Sequence, residues 1–237
     1  MVAIIFGIQG VGKSSIVNGA LANVSKEEDF RLLQWGKRTF EITMQKNIIR
    51  TGDYKTQANY QLKSEDTDRG VAIVITEQGE NVIYAKDEAC VQNARDEMRN
   101  LDVKTQKMIQ DEVANSYIQE ISANPNLHYL IETHAALKTQ QGYLPGLTPE
   151  FMQKVKPDVY VIIEASAEQI LARRMSDKNR KREHDKTLKD VQINLDTTRF
   201  YTSNFAVSTH SPMCIVENKD NGQDEAIEEL TRILKTF

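Results

Sequence analysis

The sequence predicts an α/β fold built on a five-stranded parallel sheet flanked by helices. Five short apolar runs are spaced along the 237 residues, and sequence of helical character lies between them. This alternation is typical of parallel strands joined by crossover helices, because helices then cover both faces of each strand. The runs are Val2–Phe6, Phe30–Trp35, His128–Ile131, Val159–Ile163 and Met213–Val216.

The first strand leads into the strongest local signal, GIQGVGKSS at residues 7–15. This segment satisfies the phosphate-loop pattern GxxxxGK[ST] and is followed by a predicted helix over Ile16–Val24. Glycines allow the chain to curl so that backbone N–H groups surround a polyphosphate, and the helix N-terminus faces the same anion. The predicted fold class is therefore that of the P-loop NTPases, with the phosphates held by Gly7, Ile8, Gln9, Gly10, Val11, Gly12, Lys13, Ser14 and Ser15.

Within this loop, two side chains have predicted chemical roles. We expect a solvent-facing Lys13 to reach the β- and γ-phosphates, and the Ser14 hydroxyl to ligate a phosphate-bound Mg²⁺. The surrounding strand and helix make the match specific, because all parts of the motif occur in register.

Later helices carry clear start signals. Thr148 and Pro149 predict an N-cap followed by proline at the first helical position, and Ser166 to Gln169 fits a capping box. The segment Asp224–Leu234 has the apolar spacing of a closing amphipathic helix.

Residues of about 50–91 differ from the rest of the chain in their polarity and hydrophobic pattern. The stretch Asp53–Arg69 is polar without a persistent apolar period, whereas Val71–Thr76 and Asn81–Ala85 predict a β-hairpin around EQGE. We interpret this segment as an insertion in a single domain. It is either a passive surface excursion or a cover over substrate.

Composition restricts the class of partner. The net charge of −4 and pI near 5.7 argue against a broad nucleic-acid surface. Cys90 and Cys214 are far apart, so neither a zinc site nor a disulfide framework is indicated. Without a basic leader or a long apolar run, we expect a soluble cytoplasmic protein with no membrane partner.

Four segments together resemble archaeal-type adenylate kinases. They are GIQGVGKSS, ARDEMRNL at 94–101, ETHAALKTQQGYLPGL at 132–147 and ILARRMSDKNRKR at 170–182. The resemblance implies a nucleoside-monophosphate-kinase fold, ATP and AMP as substrates, ADP as product, Mg²⁺ dependence and a homotrimer. The family commonly has Asp at the position of Glu132 and Pro at that of Gln9.

The same resemblance implies roles for individual residues. Glu132 ends the third predicted strand, where ligands of open α/β sheets bind, and it would hold Mg²⁺ through water together with Ser14. A lid of about residues 174–187 would close over both nucleotides, and Arg199 is a weaker member of its arginine set. The catalytic residues would be Lys13, Arg173, Arg180 and Arg182, and the AMP-binding residues Arg95, Thr133, His134, Tyr143 and Leu144.

Two alternatives stay open. The insertion falls between the helix predicted at Lys37–Asn47 and Arg95, so the protein could be a monophosphate kinase with another or a broad acceptor range. A GTPase-type switch is disfavoured because NKDN at 218–221 has Asn221 where the guanine-reading motif NKxD requires Asp.

Overall fold

The computed structural model describes residues 1–25, 29–46, 50–51, 61–66, 71–76, 79–84, 98, 101–139, 141–176 and 187–237. The chain divides into two compact units. The first contains Met1–Trp35, Ala114–Leu137 and Tyr143–Phe237, and the second contains Gly36–Val113 and Lys138–Gly142.

In chain order the elements are β1 (Val2–Phe6), α1 (Lys13–Val24), β2 (Phe30–Gln34), α2 (Trp35–Gln45), β3 (Arg50–Thr51), β4 (Gln61–Asp66), β5 (Val71–Thr76), β6 (Gly79–Tyr84), α3 (Val103–Ala123), β7 (His128–Glu132), β8 (Ala136–Thr139), β9 (Gly142–Pro145), α4 (Pro149–Val155), β10 (Val159–Glu164), α5 (Ala167–Ser176), α6 (Leu188–Thr209), β11 (Met213–Glu217) and α7 (Gln223–Leu234).

The first unit is organised around the predicted five-stranded sheet, whose order is β11-β10-β1-β7-β2. Every pairing between its strands is parallel, which confirms the predicted architecture. All residues of β1 and β10 are buried, as expected of central strands covered on both faces. The carboxyl ends of β1, β7 and β10 therefore lie side by side at one edge of the sheet.

One strand boundary differs from the prediction. Strand β2 ends at Gln34, and Trp35 begins α2 instead of completing the strand. The indole is only 3% exposed and packs edge-on against Tyr117 and Phe151, with ring centroids 5.6 and 5.1 Å away. The apolar run thus continues past the strand because Trp35 belongs to the core through its side chain.

The predicted helix starts are confirmed by their capping contacts. The Thr148 hydroxyl accepts from the backbone N–H of Phe151 at 3.2 Å, with Pro149 at the first helical position. Ser166 and Gln169 exchange reciprocal side-chain and backbone bonds of 3.1 and 3.2 Å. Over the described ranges, no helix has both the length and the apolar character needed to cross a bilayer.

The second unit contains a four-stranded sheet of order β3-β6-β5-β4. Strands β5 and β6 are antiparallel, which confirms the predicted hairpin, although β6 begins at Gly79 and not at Asn81. Strand β4 lies in the polar stretch where no strand was predicted and pairs with β5 at the edge of the sheet. Charged residues are common on edge strands, so a hydrophobic pattern is a poor guide there.

Candidate functional site

The segment at residues 7–15 connects β1 to α1 in the curled form that its sequence predicts. Gly10 and Gly12 have φ values of 94° and 84°, a left-handed region that side chains other than glycine rarely adopt. A Cβ at Gly7 would lie 2.9 Å from the carbonyl oxygen of Ile163, so the turn also passes close to β10. The glycine pattern is thus a geometric requirement of this loop.

The carboxylate of Glu132 is the centre of the polar contacts beside this loop. One oxygen, Oε1, accepts hydrogen bonds from Lys13 Nζ at 2.8 Å and from Ser14 Oγ at 2.7 Å. The other oxygen, Oε2, accepts from Gln34 Nε2 at 3.1 Å. The structure therefore brings together the two predicted metal-binding residues and the predicted catalytic lysine.

The expectation that Lys13 faces solvent is wrong, because its side chain is only 11% exposed and forms an ion pair with Glu132. Glu132 ends β7 in register with Ile5 of β1, one residue before the end of that strand. The acid consequently lies beside the start of the loop and closes over the lysine ammonium.

Sequence reasoning missed Gln34. This residue ends β2 in register with Glu132 on β7, so the two side chains lie at the same level of the sheet. The available signal was its position one residue before the end of the predicted strand Phe30–Trp35. Finding the contact also required the order of strands, which places β2 next to β7.

The electrostatics of the group favour an ionised acid. Burial opposes ionisation of Glu132, but the Lys13 ammonium and the hydrogen bonds from Lys13, Ser14 and Gln34 hold the pKa of this carboxyl below its usual range. Glu132 is therefore an anion at neutral pH and can hold a cation or orient a water molecule.

Arg173, predicted to be catalytic, lies at the outer side of the loop. Its Nη2 donates to the carbonyl oxygen of Asn218 at 3.0 Å and to Asp220 Oδ1 at 2.8 Å, and its Nη1 lies 3.5 Å from the carbonyl oxygen of Val11. The guanidinium thus links the phosphate loop to the segment after β11. The two other predicted catalytic arginines, Arg180 and Arg182, are outside the described residues.

Two more residues hold the loop, and sequence reasoning assigned neither of them to the site. Arg174 is buried and its Nε donates to the carbonyl oxygen of Gln9 at 2.8 Å. Asn218 Nδ2 donates to the carbonyl oxygen of Val11 at 2.6 Å. Arg174 is adjacent to Arg173, a predicted site residue. Asn218 is marked in the sequence only as the first residue of an incomplete guanine-reading motif.

Four of the five predicted AMP-binding residues lie in described segments of the first unit. Thr133 and His134 directly follow β7, and the backbone N–H of Thr133 donates to the carbonyl oxygen of Ile5 at 3.0 Å. Tyr143 and Leu144 lie in β9 and are half-buried. Arg95 is outside the described residues.

A backbone hydrogen bond joins the segment after β7 to the segment after β9. The N–H of Gly146 donates to the carbonyl oxygen of Ala135 at 2.8 Å. The Tyr201 hydroxyl donates to the carbonyl oxygen of Tyr143 at 3.1 Å, which ties β9 to α6. The segment that follows β7 is therefore hydrogen-bonded to the end of β9.

Arg199 occupies a defined place on α6. Its Nε and Nη2 donate to the two carboxylate oxygens of Glu164 at 2.7 and 2.5 Å. Glu164 ends β10 and is buried, while half of the Arg199 side chain is exposed. The pair places an arginine near the carboxyl end of β10, and its membership of the predicted lid set stays a prediction.

A phosphate loop between the central strand and the first helix, with a buried acid at the end of the neighbouring strand, defines a P-loop nucleotide-binding protein. Comparison with known proteins agrees with this class and specifies it further. A family model described as "AAA domain" matches residues 73–192, about half of the chain. The chain belongs to the adenylate kinase family, because curated relatives match it over nearly its full length.

Three of those relatives illustrate the match. The adenylate kinase of Methanocaldococcus jannaschii is 28% identical over 235 residues, covering 99% of this chain and 98% of its own. That of Methanothermobacter thermautotrophicus is 28% identical, with 99% of each chain covered. That of Pyrococcus furiosus is 30% identical over 234 residues, covering 98% of this chain and 94% of its own.

A solved structure is also similar, namely the unliganded sugar kinase from Janibacter sp. HTCC2649. It is 12% identical, has a TM-score of 0.47, and the match covers 99% of this chain and 94% of that one. This similarity is too distant to support an inference about activity.

Proposed function

We propose that this protein is an adenylate kinase that reversibly transfers the γ-phosphoryl group of ATP to AMP, giving two ADP. The observation that carries the proposal is the contact of Lys13 and Ser14 of the phosphate loop with Glu132, in a chain whose full-length relatives are adenylate kinases. The resemblance of the acceptor-side segment 132–147 to that family supports AMP as the acceptor.

In this proposal the protein catalyses transfer by positioning and charge. The N–H groups of the phosphate loop bind the donor phosphates, and Lys13 exchanges Glu132 for a phosphate oxygen when ATP enters. The transferred group spreads negative charge over its equatorial oxygens, so a fixed ammonium beside it lowers the barrier. Direct transfer requires no covalent intermediate.

The residues present fit a magnesium ion. Mg²⁺ prefers oxygen ligands and usually takes one or two protein groups together with phosphates and water. The Ser14 hydroxyl and the Glu132 carboxylate are such donors and lie 2.7 Å apart. We assign Ser14 as a direct ligand and Glu132 as a ligand through water. When bound, the ion neutralises charge between the β- and γ-phosphates.

We assign AMP to the side of the site formed by β9 and the segment after β7. Thr133, His134, Tyr143 and Leu144 would line that side, with Arg95 binding the AMP phosphate. Arg173, Arg180 and Arg182 would act from a lid of about residues 174–187. Closure of such a lid matters because water would otherwise compete with AMP for the phosphoryl group.

The function is tested by a coupled assay that compares AMP, GMP, CMP and UMP as acceptors with ATP as donor. We expect AMP to give the highest kcat/KM by a wide margin. Similar values for all four would indicate a monophosphate kinase of broad range instead. ATP hydrolysis without any acceptor-dependent product would contradict both kinases. A guanine switch stays disfavoured because NKDN has Asn221 where NKxD requires Asp.

The segment at about residues 50–91 is proposed to cover the acceptor pocket. Replacing Thr51 to Cys90 by a short Gly/Ser linker should leave ATP binding and the five-stranded sheet intact, because closing a loop of different length costs little entropy. We expect the apparent KM for AMP to rise, or the acceptor range to broaden. Steady-state kinetics with the four monophosphates would measure both.

The control for this replacement is the ATP dissociation constant of the same variant. If it matches the full chain and the acceptor kinetics are also unchanged, the segment is a passive excursion or a subunit contact. The resemblance also leads us to propose a cytoplasmic homotrimer, and sedimentation velocity of both proteins would show whether the segment contributes to it.

A further inference from the structure

Two carbonyl oxygens of the phosphate loop are bonded by side chains from outside the loop. The Gln9 oxygen accepts from Arg174 Nε of α5 at 2.8 Å. The Val11 oxygen accepts from Asn218 Nδ2 at 2.6 Å, and Asn218 directly follows β11. These contacts fix the orientation of two peptide groups.

The orientation of those peptides determines where two N–H groups point. In a trans peptide the carbonyl of one residue and the N–H of the next face opposite ways. When Asn218 holds the Val11 oxygen, the N–H of Gly12 is turned away from Asn218. When Arg174 holds the Gln9 oxygen, the N–H of Gly10 is turned away from Arg174. Inward-facing N–H groups of this kind bind phosphate.

We propose that Asn218 is a positioning residue for nucleotide binding, which sets the Gly12 N–H toward the bound polyphosphate. The inference depends on the proposed function only in that the loop binds nucleotide phosphates. It does not depend on the identity of the acceptor.

The surroundings of Asn218 suit this role. The residue is 5% exposed. Its backbone N–H donates to the backbone carbonyl oxygen of Glu164 at 2.7 Å, and its own carbonyl oxygen accepts from Arg173 Nη2 at 3.0 Å. Its side chain therefore starts from a fixed backbone. A Cβ at Gly12 would lie 2.5 Å from Asn218 Nδ2, so the amide packs directly against that glycine. Only a donor can satisfy the Val11 oxygen, and the Asn218 amide at 2.6 Å is much closer than Arg173 Nη1 at 3.5 Å.

The test separates phosphate binding from base binding. Calorimetric titration with Mg²⁺-tripolyphosphate and, separately, with adenosine would be performed on Asn218→Ala and Asn218→Asp. Loss of a buried hydrogen bond that orients a binding group should weaken tripolyphosphate about tenfold. We expect the adenosine affinity to change by less than about twofold. Asp is close in shape to Asn, but its carboxylate cannot donate a hydrogen bond. Asn218→Asp should therefore bind tripolyphosphate as weakly as Asn218→Ala, or more weakly.

Asn126→Asp is the matched control. It makes the same change from amide to carboxylate at an exposed position, in the turn before β7. Both affinities should stay at wild-type values. The proposal would be overturned if the Asn218 variants weakened tripolyphosphate and adenosine equally, if Asn126→Asp had an equal effect, or if no variant had any effect.

A second measurement does not require the variants to fold. In ¹⁵N-labelled wild-type protein, the Gly12 amide resonance should shift on addition of Mg²⁺-tripolyphosphate, and its failure to respond would overturn the proposal. In folded Asn218→Ala, the Gly12 response should diminish while that of Gly10, held by Arg174, persists. Neither tripolyphosphate nor adenosine tests the phosphate acceptor. If AMP proved not to be the acceptor while the Gly12 and Gly10 resonances responded as expected, only the proposed function would be overturned.

Discussion

Replacing Lys13 with alanine should nearly abolish phosphoryl transfer. The ammonium would neutralise charge on the transferring phosphoryl group, and groups of this kind contribute roughly 3–4 kcal/mol to lowering the barrier. On the scale of about tenfold per 1.4 kcal/mol, turnover should fall by more than about a hundredfold. Steady-state kinetics with saturating ATP and AMP would measure the loss. A variant that keeps more than about a tenth of wild-type turnover would contradict the assignment of Lys13.

The burial of Lys13 adds a consequence for stability. Among the described residues, the substitution leaves the buried Glu132 with Ser14 and Gln34 as its side-chain partners, so the unfolding midpoint should fall in the absence of nucleotide. Lys154→Ala is the matched control, because Lys154 forms an exposed ion pair with Glu150 at 2.7 Å on α4. That substitution should leave turnover unchanged and alter stability by no more than about 0.5 kcal/mol.

Replacing Gly146 with alanine should prevent the segments after β7 and β9 from packing together as described. A Cβ at this position would lie 1.6 Å from the carbonyl oxygen of His134 and 2.7 Å from its carbonyl carbon. Both are backbone atoms, so no side-chain rotation can relieve the overlap. We expect a loss of about 3 kcal/mol or more in the free energy of unfolding, the upper range for overpacking. Thermal unfolding followed by circular dichroism would measure it.

Gly36→Ala provides the comparison for this substitution. Among the described residues, no heavy atom lies within 4 Å of a Cβ at Gly36, which belongs to α2. Alanine has the higher helix propensity, so stability should stay equal or rise by up to about 1 kcal/mol. If Gly146→Ala unfolded at the same temperature as Gly36→Ala, the close contact between the segments after β7 and β9 would be disproved.

Local sequence patterns predicted the five strands of the parallel sheet and the helix starts after Thr148 and Ser166, because each of these strands and caps carries its own signal. The central strand Val2–Phe6 is apolar at every position, and Thr148 and Ser166 precede helices with their capping partners three residues on. The edge strand β4 was missed for the opposite reason. Its residues QLKSED alternate weakly, and the strand is recognised only by its pairing with β5.

Contacts of the candidate site could be predicted only in part. The motif identified Lys13 and Ser14, but not that a single oxygen of Glu132 accepts from both. That contact depends on the position of β7 beside β1, which no local window contains. The bond from Asn218 to Val11 spans 207 positions of the chain. Such pairings are set by tertiary structure, and a single sequence provides no signal for them.

The position of β1 at the centre of the sheet has a consequence for folding during synthesis. Its two neighbours, β7 and β10, span residues 128–132 and 159–164, so the ribosome makes β1 long before either partner exists. Until then the apolar segment VAIIF lacks both of its hydrogen-bonding partners. Unpaired strands of this kind are prone to aggregate. In the nascent chain, residues 2–6 therefore stay an unpaired apolar segment until at least residue 132 has been made.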